Sequence, residues 1–272
     1  MNDPRARRCL RVGILAVSLL ATHAHAQPAS APVPASAAAS TPLHTIAVIS
    51  LVGDRIDVVT AVRQTGRLND ANEHNLVPFA AAGLDVTALS AAKTQLKKLD
   101  PTLDVALLAA SRPETYEAQD SLFDGDRVKL PAEIATAVER EHASQLVLVT
   151  RYRGEARLNG TNGALGTGKI GGLGFYLDSV ARIKSSKTGA VERGMIAPFA
   201  YVELSLVDVA TSAVVRRTNA TNSYLLGTAG MPADANPWDI LTPEQKVEAL
   251  QRVLGRAVRE ALPALMAAPA AK

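Results

Sequence analysis

The chain has 272 residues, 47% hydrophobic, 20% charged and 4% aromatic, a balance that excludes a disordered tail or a collagen-like fibre and permits one large domain or two small ones. Its 29 lysines and arginines against 26 acids give a formal charge of +3. Residues 1–26 hold four of those arginines and one of the acids, and without them 25 bases face 25 acids, so net charge gives no support to a nucleic-acid partner.

Those first residues read as an export signal. Arg5, Arg7, Arg8 and Arg11 form a basic start, Val12–Ala21 an apolar run, and Ala24, His25 and Ala26 a small-residue cut before Gln27. The run falls well short of the roughly 20 apolar residues that span a bilayer. The expectation is an exported, soluble, periplasmic protein. Cys9, the single cysteine, leaves with the signal. The mature chain then has no thiol for a disulfide, a nucleophile or a metal site, and no cysteine at the cut for lipid attachment. Residues 27–44 are expected to be an Ala/Ser/Pro-rich linker, because Pro28, Pro32, Pro34 and Pro42 favour extended backbone and nothing apolar recurs.

The nearly continuous apolar run Ile46–Val52 predicts a strand buried on both faces, with a second strand over Arg55–Arg63. Gln64–Pro78, with Gly66, Asn69, Asp70, Asn72 and Asn75, reads as a polar loop. Asp85 is placed to cap a helix over Val86–Leu99, whose Val86, Leu89, Ala92, Leu96 and Leu99 recur at helical spacing before Asp100 and Pro101 stop it. Leu103–Ala110 reads as a strand. Pro131 suits the first turn of a second helix running to about Ala143, and Gln145–Thr150 is another buried strand.

Further on, Leu173, Phe175, Leu177, Ala181 and Ile183 alternate with Tyr176, Asp178 and Arg182, the period of a half-exposed strand. Tyr201–Asp208 and Ala213–Tyr224 predict an antiparallel hairpin, with Val202, Leu204 and Leu206 on one face and Tyr201, Glu203 and Ser205 on the other. The last helix is announced by Thr242 as N-cap, Pro243 in the first position and Gln245 in the third, a capping box. Val247, Leu250, Leu254, Val258, Ala261 and Leu265 supply its apolar stripe, Glu248 and Arg252 an i, i+4 pair, and Pro263 is expected to kink or end it. Trp238 precedes this helix as a packing plug or, in the sharper reading, a recognition anchor. No repeat or change of composition divides residues 45–265. A single mixed α/β domain of α+β character is therefore expected: a mixed sheet with an antiparallel C-terminal hairpin, helices packed on it, a capped C-terminal helix and a disordered tail over 266–272.

The glycine-rich run from Gly154 to Gly174 contains two tempting spacings. Gly163–Lys169 matches a phosphate-binding loop, but Ile170 stands where Ser or Thr should hold magnesium, and a strand pattern follows in place of a helix. Gly166–Gly171 matches the dinucleotide fingerprint without its strand-turn-helix setting. The run is instead expected to be an exposed, weakly packed loop at 159–172 or a hairpin tip. Arg151, Arg153, Arg157 and Lys169 flank it, making Arg153, Arg157 and Lys169, together with Trp238, the candidate contacts for a partner. Of His44, His74 and His142, none has a second ligand at zinc-like spacing, and Glu139 to His142 is a single copy of a motif that di-metal bundles use in pairs. Asp120, Asp124 and Asp126 lack the alternation and terminal glutamate of a calcium loop and read as a turn followed by a helix. No local hydrolase signature is present, so no catalytic residue, metal or cofactor is assigned, although a site assembled from distant residues stays open.

The segments Leu146–Val149 and Tyr201–Val215 resemble the strand and hairpin of bacterial envelope domains of the TolB amino-terminal, curli-secretion lipoprotein and penicillin-binding-protein activator type, over about residues 45–265. The chain also resembles uncharacterised exported proteobacterial proteins. The lipid-bearing cysteine of the lipoprotein members is missing, and the glycine-rich run has no counterpart in their pattern. The resemblance implies a periplasmic, non-enzymatic binding or adaptor module that docks onto an envelope protein. Two alternatives remain: an exported hydrolase, and a membrane-contacting or oligomer-forming protein that uses residues 154–184 as a hairpin.

Overall fold

In the computed structural model the described residues are 44–62, 72–79, 83–160, 163–184, 189, 191–227 and 236–267. The expected export signal and linker, up to residue 43, and the tail beyond Ala267 lie outside them. In chain order the elements are β1 (Thr45–Ser50), β2 (Arg55–Thr60), β3 (Glu73–Pro78), α1 (Gly83–Leu99), β4 (Asp104–Leu108) and α2 (Pro113–Glu117), which runs into a 3-10 turn at Ala118–Ser121. The short β5 (Phe123–Asp124) and β6 (Arg127–Val128) lead to α3 (Ala132–Arg140) and β7 (Gln145–Arg151). Then come β8 (Arg153–Glu155), β9 (Leu158–Gly160), β10 (Gly163–Leu165), β11 (Lys169–Lys184), β12 (Val191–Asp208), β13 (Ala213–Ser223) and β14 (Leu226–Gly227). A 3-10 turn at Pro237–Ile240 precedes α4 (Pro243–Met266).

The fold is mixed α/β, as expected. β4, β1 and β7 lie side by side in parallel, β7 runs antiparallel to the second half of β12, and β13 pairs antiparallel along the other side of β12. The first half of β12 pairs with β11, which in turn runs parallel to β2, and β3 closes that edge. β12 is thus the spine on which the parallel and antiparallel halves meet.

Both faces are covered. On one, α1 and α4 bury Ile46, Val48, Val147, Val149, Val202 and Leu204. On the other, Ile134 and Val138 of α3 cover Ala47, Ile49, Leu146 and Leu148. Beside them Ala156, Leu158 and Ile170 cover Tyr176, Phe199 and Tyr201. The chain can pass close at β11 because residue 174 is glycine; a Cβ there would lie 1.9 Å from the carbonyl oxygen of Asp57.

Several sequence expectations need correction. Part of the expected polar loop over Gln64–Pro78 is the edge strand β3, whose side chains are largely exposed, so no burial pattern marks it. The other part, residues 64–71, lies outside the described residues. α1 starts two residues before Asp85, which is buried in its first turn and does not cap it. Pro131 stands just outside α3 as its N-cap, and the helix ends at Arg140 because His142 takes φ of 50° and the amide of Ala143 reaches back to the carbonyl of Val138. β11 is half exposed only in its second part, from Leu177 to Arg182; in its first part Phe175 and Tyr176 are both buried, on opposite faces. Ser205 and Tyr201 on β12 are likewise buried, since both faces of that strand are packed. α4 continues through Pro263 to Met266, and its box forms as read, with Thr242 Oγ1 accepting from the amide of Gln245.

Candidate functional site

The glycine-rich run is packed, not loose. β9 and β10 form a small hairpin, and β8 pairs with the start of β11 in the register Lys169 opposite Glu155 and Gly171 opposite Arg153. Tyrosine hydroxyls anchor it from below. Arg157 donates its amide to Tyr201 Oη at 2.8 Å, and that hydroxyl donates to the carbonyl of Glu155 at 3.1 Å. The amide of Thr167 donates to Tyr176 Oη at 3.0 Å, and Asn159 donates its amide to Ser223 Oγ at 2.9 Å. Burial raises the Tyr201 hydroxyl above its ordinary range, which keeps it protonated as a donor. Tyr152 stacks parallel to Tyr201 at 6.4 Å between ring centres. Of the two expectations for 159–172 the hairpin tip is the one observed: β10 is exposed, as expected, but the described residues are anchored by these hydrogen bonds and are not weakly packed. The phosphate-loop spacing at Gly163–Lys169 likewise falls on β10, a bend and the start of β11, with no helix to present amides to a phosphate.

Alternation along this cover sorts its side chains. Ala156, Leu158 and Ile170 point inward, so Arg153, Arg157 and Lys169 share the outer face, and all three are exposed. The structure thus brings together three of the four candidate contacts. Trp238 is not with them. It packs on the opposite side of the sheet, edge-on to Phe175 at 5.3 Å, with the Lys246 ammonium 4.2 Å above its ring. Arg151, which flanks the run in sequence, is largely buried and paired with Asp54; desolvation is the leading influence on it and lowers its pKa, while Asp54 opposes that shift.

A second polar cluster lies at the carboxyl ends of β1 and β4, where the helices that follow pack on opposite faces of the sheet. Crevices of this kind are the usual ligand positions of open α/β sheets. Here a cleft of about 510 Å³ is lined by Gly53, Asp54, Arg55, Asp85 and Tyr116, among others. Asp85 Oδ1 accepts from Ser50 Oγ at 2.5 Å and from the amides of Val52 and Gly53 at 3.1 and 3.2 Å, while Oδ2 accepts from Tyr116 Oη at 2.8 Å. Burial raises its pKa, and the same hydrogen bonds oppose the rise. Tyr116 is pushed up in turn by burial and by the Asp85 charge. With both oxygens engaged, Asp85 acts as a latch between the end of β1, α1 and α2.

A third group sits at the opposite ends of the strands. His44 Nδ1 lies 3.0 Å from Ser144 Oγ, and its Nε2 lies 3.2 Å from Gln145 Oε1. Sequence reading set His44 aside for want of a second ligand at zinc-like spacing; the partners the structure gives it lie 101 and 100 residues away. The remaining candidates stay apart: Glu139 is on α3 but His142 lies past its end, and Asp120, Asp124 and Asp126 fall on a 3-10 turn, a short strand and a hairpin turn.

No protein-family model matches the chain, and no curated protein matches it. Among solved structures it is similar to the PelC dodecamer from Paraburkholderia phytofirmans, at 12% identity and a TM-score of 0.32, covering 83% of this chain and 89% of that one. It is similar to a Xanthomonas campestris protein of the DUF330 family, at 10% identity and a TM-score of 0.34 with 80% of each chain covered. A neuraminyllactose-binding hemagglutinin homolog from Helicobacter pylori follows at 6% identity and a TM-score of 0.33, covering 82% of this chain and 81% of that one. Overlaps this low carry neither an activity nor a partner to this chain.

Proposed function

We propose that the protein is an exported, periplasmic binding or adaptor module that docks onto an envelope protein through the outer face of the glycine-rich cover. The observation that carries this reading is the construction of the cover. Its inner side chains are fixed in the core, and its outer face presents Arg153 and Lys169 on the paired strands β8 and β11, with Glu155 opposite Lys169 and Arg157 in the short link to β9. Cations held by short strands lose less freedom on binding than cations on a loose loop, so the surface is suited to an acidic patch on a partner. The resemblance of Leu146–Val149 and Tyr201–Val215, read from sequence, to envelope domains of the TolB amino-terminal type is the reason to place that partner in the envelope.

The test is crosslinked co-purification from the native envelope, comparing the parent with Arg153→Ser/Arg157→Ser/Lys169→Ser. Deleting residues 159–172 would also remove Ile170 from the core, whereas the three serines leave the inner face intact. Capture of one specific envelope protein by the parent, lost in the triple variant, is expected. Equal capture by both would remove the cover from the interface.

A further inference from the structure

We propose that Ser144, His44 and Gln145 form an acyl-transfer site at the amino ends of β1 and β7, an activity beyond the docking role and on a separate surface from the cover. The tautomer follows from the partners. Gln145 Oε1 can only accept, so His44 Nε2 carries the proton at 3.2 Å, and Nδ1 is left as the acceptor 3.0 Å from Ser144 Oγ. That order of groups, hydroxyl to imidazole to orienting oxygen, is how an activated serine is recognised on unrelated folds. Among the described residues Ser144 Oγ has one competing acceptor, the carbonyl of Thr45, at the longer distance of 3.4 Å.

The parallel register brings the three together. Ile46 lies opposite Gln145, so the residues just before the two strands, His44 and Ser144, meet across the sheet end. Next to His44 and Gln145 opens a cleft of about 490 Å³ lined also by Leu99, Leu103, Val215 and Met266 and by the charged Asp100 and Arg216; Ser144 stands outside this lining, on the other side of the imidazole. Its walls are mostly apolar, which suits the acyl part of an ester.

The step balances without a further reagent. Ser144 Oγ bonds to the ester carbonyl carbon while its proton passes to His44 Nδ1. The bond from that carbon to the leaving oxygen then breaks, and the leaving alcohol takes the proton. Water next attacks the acyl carbon, gives a proton to His44 Nδ1, and releases the acid as Ser144 recovers its own. The Ser144 amide, which in such sites stabilises the oxyanion, already donates to the carbonyl of Thr45 at 3.1 Å. General-base assistance alone contributes about 10²–10⁴-fold, so the substrates are esters with good leaving groups, aryl esters above all.

The experiment uses the full chain with p-nitrophenyl acetate and butyrate, and with an alkyl fluorophosphonate read by peptide mass spectrometry. A single phosphonyl adduct on Ser144 is expected, with ester turnover falling about a hundredfold or more in Ser144→Ala and in His44→Gln. Gln145→Glu tests the positioning role. A carboxylate on Nε2 favours the imidazolium, so the pH–rate profile shifts to higher pH, an effect a purely structural residue would not produce. The side chains are exposed or half-exposed, and thermal melts check that each variant stays folded. Absence of an adduct, an adduct elsewhere, or equal labelling in His44→Gln would each overturn the proposal, and none of these results bears on the cations of the cover.

Discussion

Asp85 ties together three stretches of chain that are far apart in sequence, and Gly53 is what lets them meet. A Cβ at residue 53 would fall 2.5 Å from Asp85 Oδ2, so Gly53→Ala must push the carboxylate out of its nest. A loss of about 2 kcal/mol is expected, seen as a lower urea midpoint at unchanged m-value. Asp85 also sets a pH dependence. Burial holds its carboxyl above the ordinary value of 3.8. Below that value folded and unfolded chains are both protonated; above it the unfolded chain releases its proton first, so stability falls until the folded-state value is passed and then levels off. Asp85→Asn cannot ionise. Its Oδ1 keeps three donors and its Nδ2 can donate to Tyr116 Oη, whose proton turns to the carbonyl of Ala110, 3.5 Å away. The variant is expected to gain on the parent as pH rises from about 4. Urea titrations at several pH values check this, and a difference that stays flat would show that the Asp85 carboxyl titrates alike in the folded and unfolded chains, so that burial does not raise it.

Among the elements, α4 shows what local signals achieve. Its cap and its stripe are both contained in the sequence that forms the helix, and Thr242→Ala is expected to cost about 1 kcal/mol, measurable as a lower Tm. β1, β7 and the β12–β13 hairpin were legible for a similar reason, since their apolar runs stop at turns. β3 was not, because an exposed edge strand of Glu73, His74, Asn75 and Leu76 differs from a loop only through pairing with β2. Tyr176 and Tyr201 misled the alternation for the opposite reason. Each has an apolar ring that can be buried and a hydroxyl that needs a partner, and those partners, the backbone of Thr167, Arg157 and Glu155, come from a run whose composition reads as a loop. The candidate surface was thus half legible: its cations were visible in sequence, and the scaffold that aligns them was not. The Ser50–Asp85–Tyr116 and His44–Ser144–Gln145 groups were invisible, since each is assembled by parallel strand register and crossover connections.

For the molecule as a whole, the cover takes the place of a helical layer over β11 and β12. Tyr176→Phe removes the hydroxyl that holds Thr167 and is expected to cost about 1 kcal/mol, with faster hydrogen exchange confined to residues 163–168. Exchange spreading evenly over β12 would show instead that the cover and the sheet open together. β12 has a consequence for the order of events in folding. Its partners β7 and β11 precede it and β13 and β14 follow it, while β1 meets β7 only by joining residues such as Ser50 and Val149. The two halves, β4–β1–β7 and β3–β2–β11, are joined in the sheet through β12 and close long loops, and topologies of this kind fold slowly. A refolding experiment is therefore expected to show β12 gaining hydrogen-exchange protection together with both halves and not after them, since each half borders it.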